Sequence, residues 1–149
     1  MHISGTIDSL LNQKPRALCS VAPQDTVFDA IKLMSDKNIG ALLVMSGGNL
    51  MGMFSERDYT RKVVLKGKSS KTTAVKEIIS MPVISVTPSH TVEECMRLMT
   101  EHRVRHLPVL DGEKVVGIIS IGDLVNWIIS AQTQALNQME DYISGKYPG

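Results

Sequence analysis

The sequence has few of the residues that commonly cross-link, anchor or catalyse, and each shortage excludes a class of protein. Only two cysteines, Cys19 and Cys95, occur in 149 residues, so we expect reduced core thiols rather than a disulfide framework. No apolar run approaches the roughly 18 residues that span a bilayer. The formal net charge of +1 gives no reason to expect nucleic acid or an anionic membrane as the main partner.

Enzyme signatures are missing as well. The chain contains neither G-x-G-x-x-G nor G-x-x-x-x-G-K-[ST], the glycine-rich loops that hold phosphates in many nucleotide-dependent enzymes. Its four histidines and two cysteines lack metal-ligand spacing, and no nucleophile with an accompanying base can be recognised. The sequence therefore predicts no catalytic residue, no metal site and no catalytic cofactor.

The composition that is present indicates an ordinary globular protein. Hydrophobic residues make up 43% of the chain and charged residues 21%, which excludes disorder of the whole chain. Residues 1–13 lack the basic start and apolar middle of a signal peptide, so we expect a cytoplasmic location.

The most informative feature is an internal duplication. Residues 18–64 align without a gap on residues 83–129 and are identical at 13 of 47 positions, where chance would give roughly 3. We expect two copies of one supersecondary unit. Two related half-domains would create paired clefts between them, in which ligands commonly bind.

Each copy has the pattern of a β-α-β-β-α unit. A short apolar run at residues 18–21 predicts a strand, and Thr26 predicts the N-cap of a helix. In the second copy Thr91 and Glu94 form a T-x-x-E capping box. Two apolar runs joined by a glycine-bearing turn then predict a hairpin, and a second helix follows. The predicted fold class is α/β, with the two repeats packed in pseudo-two-fold symmetry.

The predicted domain plan has five parts. They are an N-terminal helix and lead-in, the first repeat, a linker with a short helix, the second repeat, and a C-terminal helical extension with a tail (residues 1–17, 18–64, 65–82, 83–129 and 130–149). The last helix is expected to run from Asp123 to about Ile143, further than the repeat needs, with Leu136 and Met139 at helical spacing. We expect this extension to pack against a neighbour such as another subunit.

Three segments of the second copy carry a resemblance to a known family. They are V-I-S-V-x-P from Val83, R-H-L-P-V from Arg105 and G-I-I-S-x-x-D from Gly117, and the last pattern recurs as G-x-x-S-x-x-D from Gly52. These segments resemble the cystathionine β-synthase (CBS) domain, and two in tandem are similar to a CBS pair, or Bateman module. The resemblance covers nearly the whole chain and implies a stand-alone CBS-pair protein and a homodimer.

CBS pairs commonly bind adenosine-containing ligands, so the resemblance implies a regulatory module for signal transduction or energy sensing. The implied ligand is an adenine nucleotide, AMP first among them, or ATP, NAD(H) or S-adenosylmethionine. Asp58 or Asp123 would accept hydrogen bonds from the ribose diol, while Ser55 or Ser120 would contact sugar or phosphate. The remaining implied binding residues are Arg57, Arg105 and His106 at the phosphates, Gly40 and Ala41 at the equivalent positions of the first copy, Lys14, Arg16 and Cys19 beside Asp123, and Met81, Pro82, Val83 and Ile84 beside Asp58.

Each of these residues also has an interpretation that needs no ligand. S-x-x-D is a capping-box pattern, and an Asp near a helix N-terminus stabilises the helix by itself. Arg105 and His106 would then form the solvated edge of a strand, and Arg57 would form ion pairs on a helix surface. The alternative function is a structural module for dimerisation or assembly, with no physiological ligand.

The two copies differ where a ligand would bind. Gly40 and Ala41 of the first copy align with Arg105 and His106 of the second. We therefore expect unequal clefts, which hold one nucleotide tightly and a second weakly, or two different adenosyl ligands.

Overall fold

The computed structural model describes residues 5–14, 18–79 and 83–143. The predicted α/β class and the long C-terminal helix are confirmed. In chain order the elements are α1 (Ile7–Asn12), β1 (Ser20–Val21), α2 (Val27–Lys37), β2 (Ala41–Ser46), β3 (Asn49–Ser55), α3 (Glu56–Asp58), a π-helical turn (Tyr59–Val64), a 3-10 turn (Val75–Glu77), α4 (Val92–His102), β4 (His106–Asp111), β5 (Lys114–Ser120) and α5 (Ile121–Ile143). Within these described ranges, none of the helices combines the length and the apolarity that crossing a bilayer requires.

The helices α2 and α4 begin and end at equivalent positions of the two copies. Thr26 and Thr91 each precede a helix and accept a hydrogen bond from the backbone N–H three residues further on, at 3.1 and 3.0 Å. The Glu94 carboxylate accepts from the Thr91 N–H in return, so the predicted capping box is present. Both helices end at a residue in the left-handed conformation, Asn38 or Arg103, each with φ of 54°. The duplicated sequence therefore produces duplicated helix boundaries.

In the first copy the strands form the predicted three-stranded sheet, whereas in the second copy the sheet has only two strands. β1 runs parallel to β2, with Val21 opposite Val44, and β2 pairs antiparallel with β3 as a hairpin. β4 and β5 form a separate two-stranded sheet. Between residues 83 and 91 the strand expected to open the second copy is only a parallel bridge from Val86 to Val109, the positions equivalent to Val21 and Val44.

The short helix predicted in the linker at residues 65–82 is a 3-10 turn of three residues, and contacts with the loop before α2 account for it. The N–H groups of Val75 and Lys76 donate to the carbonyls of Asp25 and Pro23, both at 2.9 Å. Ala74 donates to the Glu77 carboxylate at 2.7 Å, which caps the turn. The segment is therefore held by tertiary hydrogen bonds rather than by helix propagation.

The chain divides into two compact units that do not coincide with the two repeats. The first unit contains residues 5–14, 87–107 and 119–143, and the second contains residues 18–79, 83–86 and 108–118. The second unit has a continuous apolar core, made of Val21, Val27, Ala30, Met34, Leu42, Val44, Phe54, Val63, Val75 and Ile78. In the first unit Cys95 is fully buried, and this burial raises the pKa of its thiol to about 12, as expected of an unreactive core cysteine.

In the first unit the N-terminal segment is hydrogen-bonded through its backbone to the start of α4. The Ile7 N–H donates to the His90 carbonyl at 2.9 Å, and the Val92 N–H donates to the Gly5 carbonyl at 3.0 Å. Ile7, Leu10 and Leu11 of α1 are buried. This docking fixes the chain just after α1, where Lys14 lies.

Candidate functional site

In the first copy, Ser55 and Asp58 close a capping box where β3 passes into α3. The Ser55 N–H and its hydroxyl both donate to Oδ2 of Asp58 at 3.0 Å. The Asp58 N–H donates to the Ser55 hydroxyl oxygen at 3.2 Å. The predicted S-x-x-D pattern thus brings a carboxylate and a hydroxyl together at a half-buried helix start.

The second copy repeats this arrangement where β5 passes into α5. The Ser120 N–H donates to Oδ2 of Asp123 at 2.8 Å, and the Asp123 N–H donates to the Ser120 hydroxyl oxygen at 3.1 Å. Because each carboxylate already acts as a cap, the structural role that the sequence allowed is present in both copies. A carboxylate has two oxygens and several lone pairs, so capping leaves chemical capacity for further donors.

A lysine from outside the repeat pairs with the second of these carboxylates. Lys14 places its Nζ 2.7 Å from Oδ2 of Asp123, and about a quarter of each side chain is exposed. Burial alone would raise the pKa of Asp123, but the hydrogen bond from Lys14 and those from Ser120 outweigh it and hold the pKa below its usual value. Asp123 is therefore an ionised acceptor with a cation beside it.

In the first copy, the lysine beside the carboxylate comes from the repeat itself. Lys62 lies one helical turn after Asp58, with its Nζ 3.4 Å from Oδ1, and it also donates to the Ile78 carbonyl at 3.0 Å. The position equivalent to Lys62 in the second copy is Trp127. Lys62 is not among the site residues predicted from the sequence, although its i,i+4 spacing from Asp58 was the available signal.

We predict that the Lys14–Asp123 pair contributes to stability in a pH-dependent way. Since the folded-state pKa of Asp123 is lowered, the contribution is present above the unfolded pKa of about 3.9 and is lost as the pH falls through the folded pKa. Lys14→Met should lower the free energy of unfolding at pH 7 by about 0.5 to 1 kcal/mol, a small value because the pair is partly exposed. Urea unfolding at pH 7 and pH 3 measures this. A deficit of the same size at both pH values would contradict the assignment.

The residues just before β2 and β4 approach the two serine–aspartate pairs through the backbone. The Gly40 carbonyl accepts from the Glu56 N–H at 3.1 Å, and in the second copy the Arg105 carbonyl accepts from the Ile121 N–H at 2.9 Å. Ala41 opens β2 opposite Ser55 in the register. In the first unit, the structure therefore brings Arg105, just before β4, next to the beginning of α5, which carries the Asp123 carboxylate.

The other predicted site residues lie as follows. Arg57 is exposed on α3. Cys19 is partly buried, and its carbonyl accepts from the Leu43 N–H at 3.2 Å beside β1. Val83 and Ile84 are partly buried ahead of the Val86 bridge. Three further predicted residues, Arg16, Met81 and Pro82, lie outside the described residues.

An open cleft of about 560 Å³ lies within the second unit, beside the start of α3. Its walls come from α2, the following loop and the π-helical turn: Ile31, Met34, Ser35, Asn38, Ile39, Gly40, Glu56, Tyr59 and Thr60. The volume is in the range of small-molecule sites. Of the predicted residues that the structure describes, only Gly40 lines it, so this cleft was not predicted from the sequence. In residues 5–14, 18–79 and 83–143, no group of three or more His, Cys, Asp or Glu side chains could hold a metal ion.

Comparison with known families decides the assignment of the fold. The family model of the CBS domain matches residues 16–65 and 75–130. The chain belongs to the CBS-domain family. This CBS pair is 54% identical to a protein with CBS domains from Burkholderia ambifaria whose structure has been solved, with a TM-score of 0.83 over 86% of this chain and 96% of that one.

Two further CBS proteins are informative. The CBS domain-containing protein CBSX3, mitochondrial, from Arabidopsis thaliana is 41% identical over 128 residues, which cover 83% of this chain but 62% of the plant protein. The CBS domain pair of protein MJ0100, solved in complex with 5′-methylthioadenosine and S-adenosyl-L-methionine, has a TM-score of 0.73 over 83% of this chain and 94% of that chain. At 22% identity the second similarity shows the shared fold alone.

Proposed function

We propose that this CBS pair is a non-catalytic regulatory module that binds an adenosine-containing ligand at its Ser-x-x-Asp helix starts. AMP is the first candidate, followed by ADP, ATP, NAD(H) and S-adenosylmethionine. The observation that carries the proposal is the duplicated carboxylate–hydroxyl pair, each with a lysine beside its carboxylate. The MJ0100 pair, whose fold is the same, binds two adenosyl compounds, which supports the ligand class.

In the proposed site a carboxylate binds the ribose of the ligand, and basic side chains bind its phosphates. The ionised carboxylate of Asp123 accepts hydrogen bonds from the ribose hydroxyls, which are charge-assisted and therefore strong. Lys14 and Arg105 supply positive charge for the phosphates, His106 supplies a further hydrogen-bond donor, and the N–H groups at the start of α5 favour an anion. In the first copy Asp58, Ser55 and Arg57 have the corresponding roles. The proposal also includes Cys19, Val83 and Ile84 as walls for the base, together with Arg16, Met81 and Pro82.

We propose that the Asp123 site is the tighter of the two. Its copy carries Arg105 and His106, whereas the first copy has Gly40 and Ala41 at the same positions. It also pairs its carboxylate with Lys14 at 2.7 Å, against 3.4 Å for Lys62 and Asp58. Ligand binding then regulates a partner or the assembly only through a difference in affinity between two conformations of the pair.

Location and assembly complete the proposal. We propose that the protein is located in the cytoplasm and works as a homodimer.

A second candidate function is a module for assembly without any ligand. The capping hydrogen bonds favour it, because they give Ser55, Asp58, Ser120 and Asp123 a complete structural role.

Thermal unfolding with a ligand panel tests the proposed function. A ligand at 100 times its dissociation constant should stabilise the fold by about 2.7 kcal/mol, which is several degrees for a chain of this size. We expect a shift of this order with at least one of AMP, ADP, ATP, NAD, NADH and S-adenosylmethionine at millimolar concentration. If none of them moves the midpoint, the assembly module becomes the better account.

A further inference from the structure

The positive charge of the chain is concentrated in one segment, although the net charge is only +1. Residues 59–76 contain six of the 16 Lys and Arg residues and no Asp or Glu. Four of these cations, Arg61, Lys66, Lys68 and Lys71, are exposed. Charge of one sign gathered in this way is typical of a surface that binds a partner of opposite charge.

The fold does not neutralise these four cations. Within residues 5–14, 18–79 and 83–143, none of the four forms an ion pair with a carboxylate. Lys62, by contrast, contacts Asp58 and the Ile78 carbonyl and is therefore used inside the second unit. Lys71 lies over the exposed ring of Phe28, with its Nζ 5.2 Å from the ring centroid. The four positive charges are thus available to a partner.

Two aliphatic side chains are exposed among the cations. Val64 is 52% exposed and Leu65 is 73% exposed, at the end of the π-helical turn. The phosphates of a nucleic acid would contact the cations and leave Leu65 in water. A lipid bilayer accepts both kinds of group, the cations at its headgroups and the aliphatic side chains at the edge of its acyl chains. The combination therefore favours an anionic bilayer.

Backbone hydrogen bonds hold the segment in one shape. The Lys68 N–H donates to the Val63 carbonyl at 3.0 Å, and the Val63 side chain is buried in the core. The Phe28 N–H donates to the Ser70 carbonyl at 2.9 Å, which ties the segment to the start of α2. Because the surface is formed before a partner arrives, binding does not have to order the backbone.

The second copy shows that the repeat does not need these cations. Asn126 stands at the position equivalent to Arg61, and α5 has no charged residue from Leu124 to Met139. Both copies nevertheless form helical structure after the Ser-x-x-Asp pattern. The basic residues of the first copy are therefore not required for building the helix, which is consistent with a role at the surface.

We propose that this surface binds an anionic lipid bilayer peripherally. It is named here the basic patch and consists of Arg61, Val64, Leu65, Lys66, Lys68 and Lys71. The cations lie at the negatively charged headgroups, and Leu65 enters the outermost part of the acyl region. Each cation close to such a bilayer strengthens binding by about fivefold, and salt weakens the attraction. The proposal does not depend on an adenosine-containing ligand.

Co-sedimentation of the full chain with lipid vesicles tests the basic patch. The vesicles contain either phosphatidylcholine alone or phosphatidylcholine with about one third phosphatidylglycerol, which is anionic. We expect the wild type to bind the anionic vesicles only, and to bind them less as salt is added. The Lys66→Gln, Lys68→Gln double variant should bind about 25-fold more weakly, and Leu65→Ser about fivefold more weakly.

A matched double variant controls for the loss of charge. Lys37→Gln, Lys114→Gln removes two exposed lysines outside the basic patch and should change the affinity by less than about twofold. All of the substituted residues are exposed, so the variants should fold, and equal thermal midpoints check this.

Three outcomes would overturn the proposal. The wild type may be found in the supernatant with both kinds of vesicle, or the two double variants may lose the same affinity. In the third outcome, the wild type binds a single-stranded oligonucleotide but no vesicle, and Leu65→Ser binds it equally well. The basic patch would then be a nucleic-acid surface.

Discussion

Asp123→Asn should raise the dissociation constant of the tightest adenosyl ligand by about 30-fold, while the fold stays intact. The amide oxygen of Asn can still accept the hydrogen bond from the Ser120 N–H, so the cap is retained. The negative charge that receives the ribose hydroxyls is lost, and hydrogen bonds to charged groups are worth about 1.5 to 3 kcal/mol each. A loss of about 2 kcal/mol in binding corresponds to the stated fold-change.

The capping box of α4 offers a matched control for this substitution. Glu94 accepts from the Thr91 N–H in the same geometry, and no ligand role is proposed for it. Glu94→Gln should therefore leave the dissociation constant unchanged, and Asp58→Asn should affect it less than Asp123→Asn does. If Asp123→Asn and Glu94→Gln give the same affinity as the wild type, Asp123 is a cap and nothing more.

Gly5→Ala should lower the free energy of unfolding of the chain by about 2 to 3 kcal/mol. Gly5 has φ of +121°, a conformation that residues with a side chain rarely adopt. A Cβ at this position would lie 2.5 Å from Cζ2 of Trp127, so the indole or the N-terminal segment must move. Because the same segment positions Lys14 at Asp123, the variant should also weaken that pair.

Gly47, in the turn between β2 and β3, is a control that separates the cost of a positive φ from the cost of contact with Trp127. It also has a positive φ, of +59°, but a Cβ there would meet no atom within 4 Å. Gly47→Ala should therefore show only the backbone cost, about 1 kcal/mol. Denaturant unfolding of both variants measures the difference, and equal losses would show that contact with Trp127 is unimportant.

Much of the fold could be predicted because the duplicated sequence states each element twice. Thr26 and Thr91 indicated the helix starts, and the glycine-bearing turns indicated both hairpins, because capping and turn chemistry are local. The bridge at Val86 and the 3-10 turn at Val75–Glu77 could not be predicted. Both depend on which tertiary hydrogen bonds the backbone finds, and apolar patterning does not contain that information.

The candidate site was likewise predictable where it depends on local spacing and unpredictable where it depends on tertiary packing. The pairing of Ser55 with Asp58, and of Ser120 with Asp123, followed from local spacing. The approach of Lys14 to Asp123 spans 109 positions, and only the family resemblance placed it near that site. The cleft lined by Glu56 and Tyr59 depends on the packing of α2 against a π-helical turn, which no sequence period indicates.

Calorimetric titration of AMP, ATP, NAD and S-adenosylmethionine into the wild type and into the Asp58→Asn, Asp123→Asn double variant tests the central claim most directly. We expect saturable binding of at least one of these ligands to the wild type, and at least a 30-fold weaker affinity in the double variant. Equal affinity of the two proteins, or no binding to the wild type at millimolar concentration, would contradict an adenosyl site at the Ser-x-x-Asp helix starts.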